Sequence, residues 1–264
     1  MTAGPEQAAD ILAVARETGE VVRALPEHLR PLDEDGAYDI QRALHRRLSG
    51  SGTFGSRVGY KIGCTTPVMQ EFLAIDHPCA GGVFGRTTQE MHGRVAHADF
   101  RRPGVECELA VRLATDLPAE GAPYDRERVG QAVGACMAAI ELVDDRYLDF
   151  TALGAPTLTA DDFFGAGCVL GAPVEDWPGI DLAAVGGRMS IDGEEVGRGT
   201  GGDILGHPLN ALAWLANSRA RRGEGLLAGE FVLLGSVVAP QWVDAGAEVH
   251  IEFEAFGEVA LSFQ

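Results

Sequence analysis

Two textures divide this chain, and together they leave few folds open. Residues 1–56 carry apolar side chains at helical spacing, whereas from Arg57 onward short β-like runs are broken by glycine, proline and aspartate. Within the first part, the spacing predicts a helix over 6–18, with Ile11, Leu12, Val14 and Ala15 on one stripe. A second is predicted over 38–48, with Ile40, Leu44 and Leu48. A loop bracketed by Pro26 and Pro31 joins them. In the second part, strands are predicted at 58–63, 105–113, 139–143, 168–170, 188–191, 231–235, 249–253 and 259–263, with helices at 125–136 and 208–222. Arginines in the last turn and Gly223 just beyond mark the end of the latter helix. Residues 253–258 read as a hairpin closing the chain. With no repeat and no low-complexity linker, the expectation is a single α+β domain over 1–264, with a helical cap (1–56) on a mainly β core (57–264).

Charge narrows the partners. A net charge of −18 opposes nucleic acid and anionic membrane surfaces, which are themselves negative. It does not oppose an anionic small molecule, because a bound cation can reverse the sign locally. The five cysteines (64, 79, 107, 136 and 168) are an odd, scattered set. That spacing yields no disulfide framework or zinc cluster and suits buried thiols in a reducing cytoplasm. The first twenty residues lack a basic start followed by an apolar run, and the apolar stretches are too short to span a bilayer. A cytoplasmic location is expected.

The 21 basic side chains comprise twenty arginines and one lysine, Lys61. A buried or crowded ammonium can release its proton, and a guanidinium cannot. A lysine kept against that bias is a candidate for proton transfer. In Gly59-Tyr60-Lys61-Ile62-Gly63, strand alternation puts Lys61 on one face with Gly59 and Gly63, which leaves space for a ligand above the amine. In the run from Val105 to Val111, Glu106 and Glu108 share a face. Two neighbouring carboxylates call for a positive partner, naturally a hard divalent cation, unless they are solvated on an edge strand. Glu141 lies among Ala138, Ala139, Ile140, Leu142 and Val143, where a charge is costly unless paired or coordinated. Together the three acids suit Mg²⁺ or Mn²⁺. Asp144 and Asp145 follow, with Arg146 as their expected partner.

Other motifs carry less. Gly197, Gly199 and Gly202 satisfy GxGxxG, but near the C-terminus and without a second βα unit, so a dinucleotide site is excluded. A substrate anion or a packing turn remains open there. No GxSxG occurs, and the seven histidines form no metal-spaced cluster. Glu27-His28 reads as an acid/base pair on a lid or as a solvated loop.

The ordered set Gly59-Tyr60-Lys61-Ile62-Gly63-Cys64-Thr65-Thr66-Pro67, Ile75-Asp76-His77-Pro78, Glu106-x-Glu108, Ala139-Ile140-Glu141-Leu142-Val143, Gly206-His207-Pro208-Leu209-Asn210-Ala211 and Val232-Leu233-Leu234-Gly235 resembles the 2-keto-4-pentenoate hydratase family. That family, with its 2-oxohept-3-ene-1,7-dioate hydratases and 4-oxalocrotonate decarboxylases, lies within the fumarylacetoacetate hydrolase superfamily. The resemblance covers nearly the whole chain. It implies a mixed β-roll fold, a homo-oligomer, and Mg²⁺ or Mn²⁺ at Glu106, Glu108 and Glu141. It also implies a small-molecule 2-oxo or 2-hydroxydienoate substrate whose developing enolate the cation stabilises. Lys61, with a lowered pKa, would convert the dienol to the conjugated ketone before water adds. Substrate contacts are implied at Thr65, Asp76, Cys79, Asp161, Phe164 and Gly235.

The chain departs from the family's pattern at three places. Cys79 stands where a second acid is usual, Phe163-Phe164 where a small polar run is usual, and Leu234 where a threonine is usual. Hydration of a 2-oxo-4-enoate is the leading expectation. Its alternatives are decarboxylation of an oxalocrotonate-like diacid, tautomerisation of a bulkier apolar substrate, a non-catalytic partner of a paralogous enzyme, and carbon–carbon hydrolysis using Glu27-His28. A complex with a pathway enzyme is a further possible assembly.

Overall fold

Helices α1 (Ala3–Thr18) and α2 (Glu34–Ser51) form where helical spacing places them. The computed structural model describes residues 3–66, 70–71 and 73–264, so Pro67 of the lysine motif lies outside the described residues. The Asp33 side chain caps α2 by accepting the Gly36 N–H at 2.9 Å, and Gly52 ends it at φ 78°. Ile40, Leu44 and Leu48 are buried as expected. In α1 the inward face differs from the expected stripe. Ala8, Leu12 and Ala15 are buried, whereas Ile11 and Val14 are 42% and 50% exposed. Arg16, one turn beyond Leu12, shares the inward face.

The eight predicted runs are all strands: β1 (Arg57–Gly63), β5 (Pro103–Leu113), β6 (Val133–Asp144), β7 (Gly165–Leu170), β8 (Gly186–Ile191), β10 (Phe231–Ser236), β12 (Glu248–Phe253) and β13 (Gly257–Phe263). Five more lack a clear alternation in sequence: β2 (Cys79–Phe84), β3 (Thr88–Glu90), β4 (His92–Val95), β9 (Glu194–Thr200) and β11 (Gln241–Trp242). One sheet runs β2-β1-β10-β5-β6-β7-β3, with β11 also paired to β5. The other runs β4-β13-β12-β8-β9. Both are mixed: β1 with β10, β3 with β7 and β4 with β13 are parallel, and the remaining pairs are antiparallel. The closing hairpin pairs Phe253 with Gly257, as expected.

Shorter helices are α3 (Arg126–Ala132), α4 (Gly154–Ala160) and α5 (Pro208–Ala220). The helix expected over 125–136 therefore stops four residues early. Cys136 pairs with Val111 of β5, and Ala114 Cβ would lie 2.9 Å from any Cβ at Gly134, so strand pairing overrides local helical preference.

Period-two alternation sorts β5 and β6 into two faces. Cys107, Leu109 and Val111, with Ala138, Ile140 and Leu142, join Ile251, Phe253, Leu261 and Phe263 in the core between the sheets. The other face carries Ala110, Met137, Ala139 and Leu233 in a second apolar cluster. Continuing along that face from the same strands come Glu106, Glu108 and Glu141. A third cluster, made by α1, α2, Cys64, Cys79, Leu158 and Phe163, seats the helical cap beside them.

Candidate functional site

Register brings the acids together. Glu106 is the direct cross-strand partner of Glu141, and Glu108 lies two residues further along β5. One oxygen from each of Glu106, Glu108 and Glu141 falls within 4.8 Å of the others. Glu108 and Glu141 are buried, and Glu106 is partly exposed. Lys61, only 3% exposed, reaches the same place from β1, with Nζ 3.1 Å from Glu141 Oε1. Its Nζ also donates to the Phe163 carbonyl at 2.7 Å. Lys61 and Glu141 line a cavity of ≈ 820 Å³ together with Arg16, Gly82, Arg146 and Gly165.

The glycines beside Lys61 differ from the expected open pair. A Cβ on Gly59 would lie 2.5 Å from the Phe231 carbonyl, so the neighbouring strand fills that space. A Cβ on Gly63 would meet Lys61 Nζ itself at 3.7 Å. Gly59 therefore makes room for β10, while the space at Gly63 borders the amine at ordinary contact distance.

Electrostatics mark the acid cluster as unusual. Burial, with the Glu141 charge second, pushes Glu106 up to about 7. Glu108 is raised well above its ordinary value by burial and then by Glu141 and Glu106, although the Gly235 N–H donates to its Oε2 at 2.6 Å. Glu141 is raised by burial against the opposing pull of Lys61. Burial alone would lower the Lys61 amine, but the Glu141 and Glu106 charges outweigh it and hold the amine above its ordinary value. That direction belongs to the metal-free site, where carboxylates face the amine at close range; the lowered value expected beside a bound cation concerns the loaded site. Glu108 Oε1 is buried with no hydrogen-bond partner. An all-oxygen donor set with an orphaned carboxylate oxygen fits a hard divalent cation.

The folded-state pKa of Glu106, about 7, exceeds its ordinary 4.5, and Glu108 and Glu141 shift the same way. The folded state therefore favours the protonated acids. For Glu106 that contribution is complete below about 4.5 and is lost as pH rises through about 7, at no more than ~1.4 kcal/mol per pH unit, and Glu108 and Glu141 act in the same direction. The metal-free Tm is expected to fall between about pH 5 and pH 8, while the rise in Tm caused by Mg²⁺ grows, because binding requires the deprotonated acids. Calorimetry at several pH values, with EDTA or Mg²⁺, checks both trends. A Mg²⁺ shift indifferent to pH would contradict them.

The residues expected at a substrate separate into two groups. Thr65, buried, meets Gly235: at that glycine, with φ +135°, a Cβ would lie 2.6 Å from Thr65 Oγ1. Both thus stand beside Glu108. Cys79 is buried at the β1–β2 edge, where its thiol shares a hydrogen bond with Cys64 and faces Thr159. The Cys64 contact outweighs burial and lowers its pKa. Asp76 is exposed. Asp161, fully buried, gives its two carboxylate oxygens to Arg16 at 2.7 Å and Arg146 at 2.8 Å, with the Tyr147 hydroxyl at 2.8 Å. Phe164 packs edge-on against Tyr147, Phe150 and Phe163. Asp161 and Phe164 therefore stand behind the site, and it is Phe163 that touches Lys61. Arg146 likewise takes Asp161, not Asp144, as its close ion-pair partner.

The remaining motifs settle as structure. Gly197 and Gly199 of β9 approach Val238 and the Val237 carbonyl too closely to admit a side chain, which makes that run a packing element. Glu27 and His28 sit exposed on a short 3₁₀ turn (Glu27–Leu29). All five cysteines are free and buried. Among the described residues no helix is long and apolar enough to cross a membrane.

Comparison with known proteins gives a consistent picture. Residues 84–264 match the family model of the fumarylacetoacetate (FAA) hydrolase C-terminal domain. Over 261 residues the chain is 33% identical to a 2-keto-4-pentenoate hydratase of Paraburkholderia xenovorans, covering 98% of this chain and 94% of the relative. It is 30% identical over 227 residues to a 4-oxalocrotonate decarboxylase of Pseudomonas putida, covering 86% of this chain and 84% of that one. The solved structure of a Pseudomonas putida 4-oxalocrotonate decarboxylase, complexed with magnesium and adipate, matches with a TM-score of 0.91 at 25% identity. That match covers 98% of this chain and 97% of the other.

Proposed function

The chain belongs to the fumarylacetoacetate hydrolase C-terminal family, and from that premise we propose a divalent-metal-dependent hydratase. Its substrate would be a 2-hydroxy-2,4-dienoate, taken through the 2-oxo-3-enoate to a 4-hydroxy-2-oxo acid. The observation that carries this reading is the convergence of Glu106, Glu108 and Glu141 on one point beside a buried Lys61. The 2-keto-4-pentenoate hydratase relative matches this chain at higher identity and over more of its length than the decarboxylase relative does, which supports hydration over decarboxylation. A buried acid cluster is costly to keep, and this argues against a non-catalytic partner.

Glu106, Glu108 and Glu141 would hold the ion, Mg²⁺ first and Mn²⁺ within the same oxygen-preferring class. When bound, it supplies Lewis-acid stabilisation of negative charge developing on a 2-oxo acid. Lys61 is the proton-transfer group: Nζ, fixed between the Phe163 carbonyl and Glu141, delivers a proton to C5 of the dienol while the 2-hydroxyl releases its own to water, giving the conjugated ketone. Water then adds across that double bond, hydroxyl to C4 and proton to C3. Thr65 and Gly235 are proposed to shape the end of the site beside Glu108, and Cys79 the β1–β2 edge near Lys61. Asp76 would contact substrate only from the exposed segment before β2.

The same reading takes 1–56 as a cap over a catalytic core at 57–264, in the cytoplasm, where buried free thiols persist. It includes a homo-oligomer, with a pathway enzyme as a further partner. The test is a steady-state assay with 2-hydroxypenta-2,4-dienoate and Mg²⁺, read by loss of diene absorbance and formation of the 4-hydroxy-2-oxo acid. Loss of CO₂ from 2-oxohex-3-enedioate with no turnover of the dienoate would replace hydration by decarboxylation.

A further inference from the structure

Three consecutive non-glycine residues, Asp162, Phe163 and Phe164, stand in the left-handed region at φ +54°, +50° and +66°. Each such residue is strained, and a run of three persists only where the surroundings enforce it. The middle one supplies the carbonyl that accepts the Lys61 ammonium at 2.7 Å. A lysine stem turns freely, so this carbonyl and Glu141 determine where Nζ rests.

The enforcing contacts come from far away in sequence. Arg16, in the last turn of α1, donates from Nε to Asp161 Oδ1 at 2.7 Å and from Nη2 to the Asp161 carbonyl at 2.5 Å. Its Nη1 lies 3.1 Å from Asp162 Oδ2. One guanidinium thus bridges both aspartates at the head of the turn, using the planar fork that lysine lacks. His45 of α2 and the Gly82 N–H complete Asp162 at 2.7 and 2.9 Å. Gly81 leaves the room, since a Cβ there would lie 3.0 Å from Asp162. Arg16 also lines the cavity that Lys61 and Glu141 share.

We propose that Arg16 is a positioning residue for Lys61, acting through Asp161, Asp162 and the left-handed turn to set the Phe163 carbonyl under the amine. The inference rests on reading Lys61 as the proton-transfer group. The helical cap thereby becomes part of the site's construction, and the end of α1 and the amine form one mechanical unit.

The single lysine makes this directly observable. Protein labelled with carbon-13 at lysine Cε shows one side-chain signal, that of Lys61. In Arg16→Gln this signal is expected to shift or split, with kcat down by about 10²-fold and KM held within about threefold. Leu12→Ala, on the same buried face of α1, is expected to lower Tm and leave the signal in place. Should Arg16→Gln fail to fold, Asp162→Asn breaks the same bridge and is expected to move the signal likewise. An unmoved signal in a folded variant, or an equal displacement by Leu12→Ala, overturns the inference. The spectroscopic arm needs no turnover. A moved signal in a protein inactive on dienoates would uphold the positioning and sink only the hydratase reading.

Discussion

Lys61→Met is expected to lower kcat by about 10²–10⁴-fold, the range that a positioned proton-transfer group supplies. Methionine approximates the length and bulk of the lysine stem, so the slot beside Gly63 and Gly165 stays filled, yet it holds no exchangeable proton. Lys61→Arg should fail to restore activity, for two reasons. A guanidinium does not release its proton at working pH, and its planar head is larger than the ammonium held 2.7 Å from the Phe163 carbonyl and 3.1 Å from Glu141 Oε1. The Mg²⁺-dependent rise in Tm should survive in both variants, since Lys61 is not an oxygen ligand. This separates lost chemistry from a lost site. A kcat for Lys61→Met within about threefold of the parent would remove Lys61 from the mechanism and move proton transfer to another group.

That Lys61 and the three glutamates were legible in the sequence has a physical basis. Period-two alternation fixes which side chains share a face, so Glu106 and Glu108 had to fall together once 105–113 was read as a strand. Glu141 stood out because a charge amid aliphatic residues needs a partner. What alternation does not supply is register between strands. The pairing of Glu106 with Glu141, and of both with a lysine on β1, arises from tertiary assembly. The Arg16–Asp161 bridge spans 145 positions and leaves no local pattern. Likewise, Asp161 and Phe164 were expected at the substrate by similarity of position. The left-handed turn instead rotates Phe163 inward and leaves its neighbours to the ion-pair network and the aromatic cluster. Glycine was the least readable residue: beside Lys61, Gly59 serves strand packing, and only Gly63 borders the amine. The early end of α3 shows the same limit, because residues 133–136 adopt the conformation that β5 demands.

Glu108→Gln is expected to abolish the Mg²⁺-induced stabilisation and to reduce activity at least as far as the loss of Lys61 does. Glutamine keeps an acceptor for the Gly235 N–H, so the bulge of β10 at that point remains tied to β5. It removes one negative charge from a cluster where burial and like-charge repulsion already raise every acid. The metal-free variant should therefore be as stable as the parent or more so, because a buried charge lacking full compensation costs more than a neutral amide. In the parent, Mg²⁺ at about one hundred times its Kd stabilises by about 2.7 kcal/mol, which is roughly 5–10 °C in Tm for a chain of this size. Loss of an outer partner weakens a metal site by about 10–100-fold, and loss of a direct carboxylate ligand should exceed that, leaving no shift at the same Mg²⁺ concentration. The two effects have opposite signs, which makes the pair diagnostic: a general packing defect would lower Tm in both conditions, whereas removal of a ligand raises or preserves the metal-free value and erases the gain. A full Mg²⁺ shift in Glu108→Gln would place the ion elsewhere and leave the buried acids without the role that justifies them.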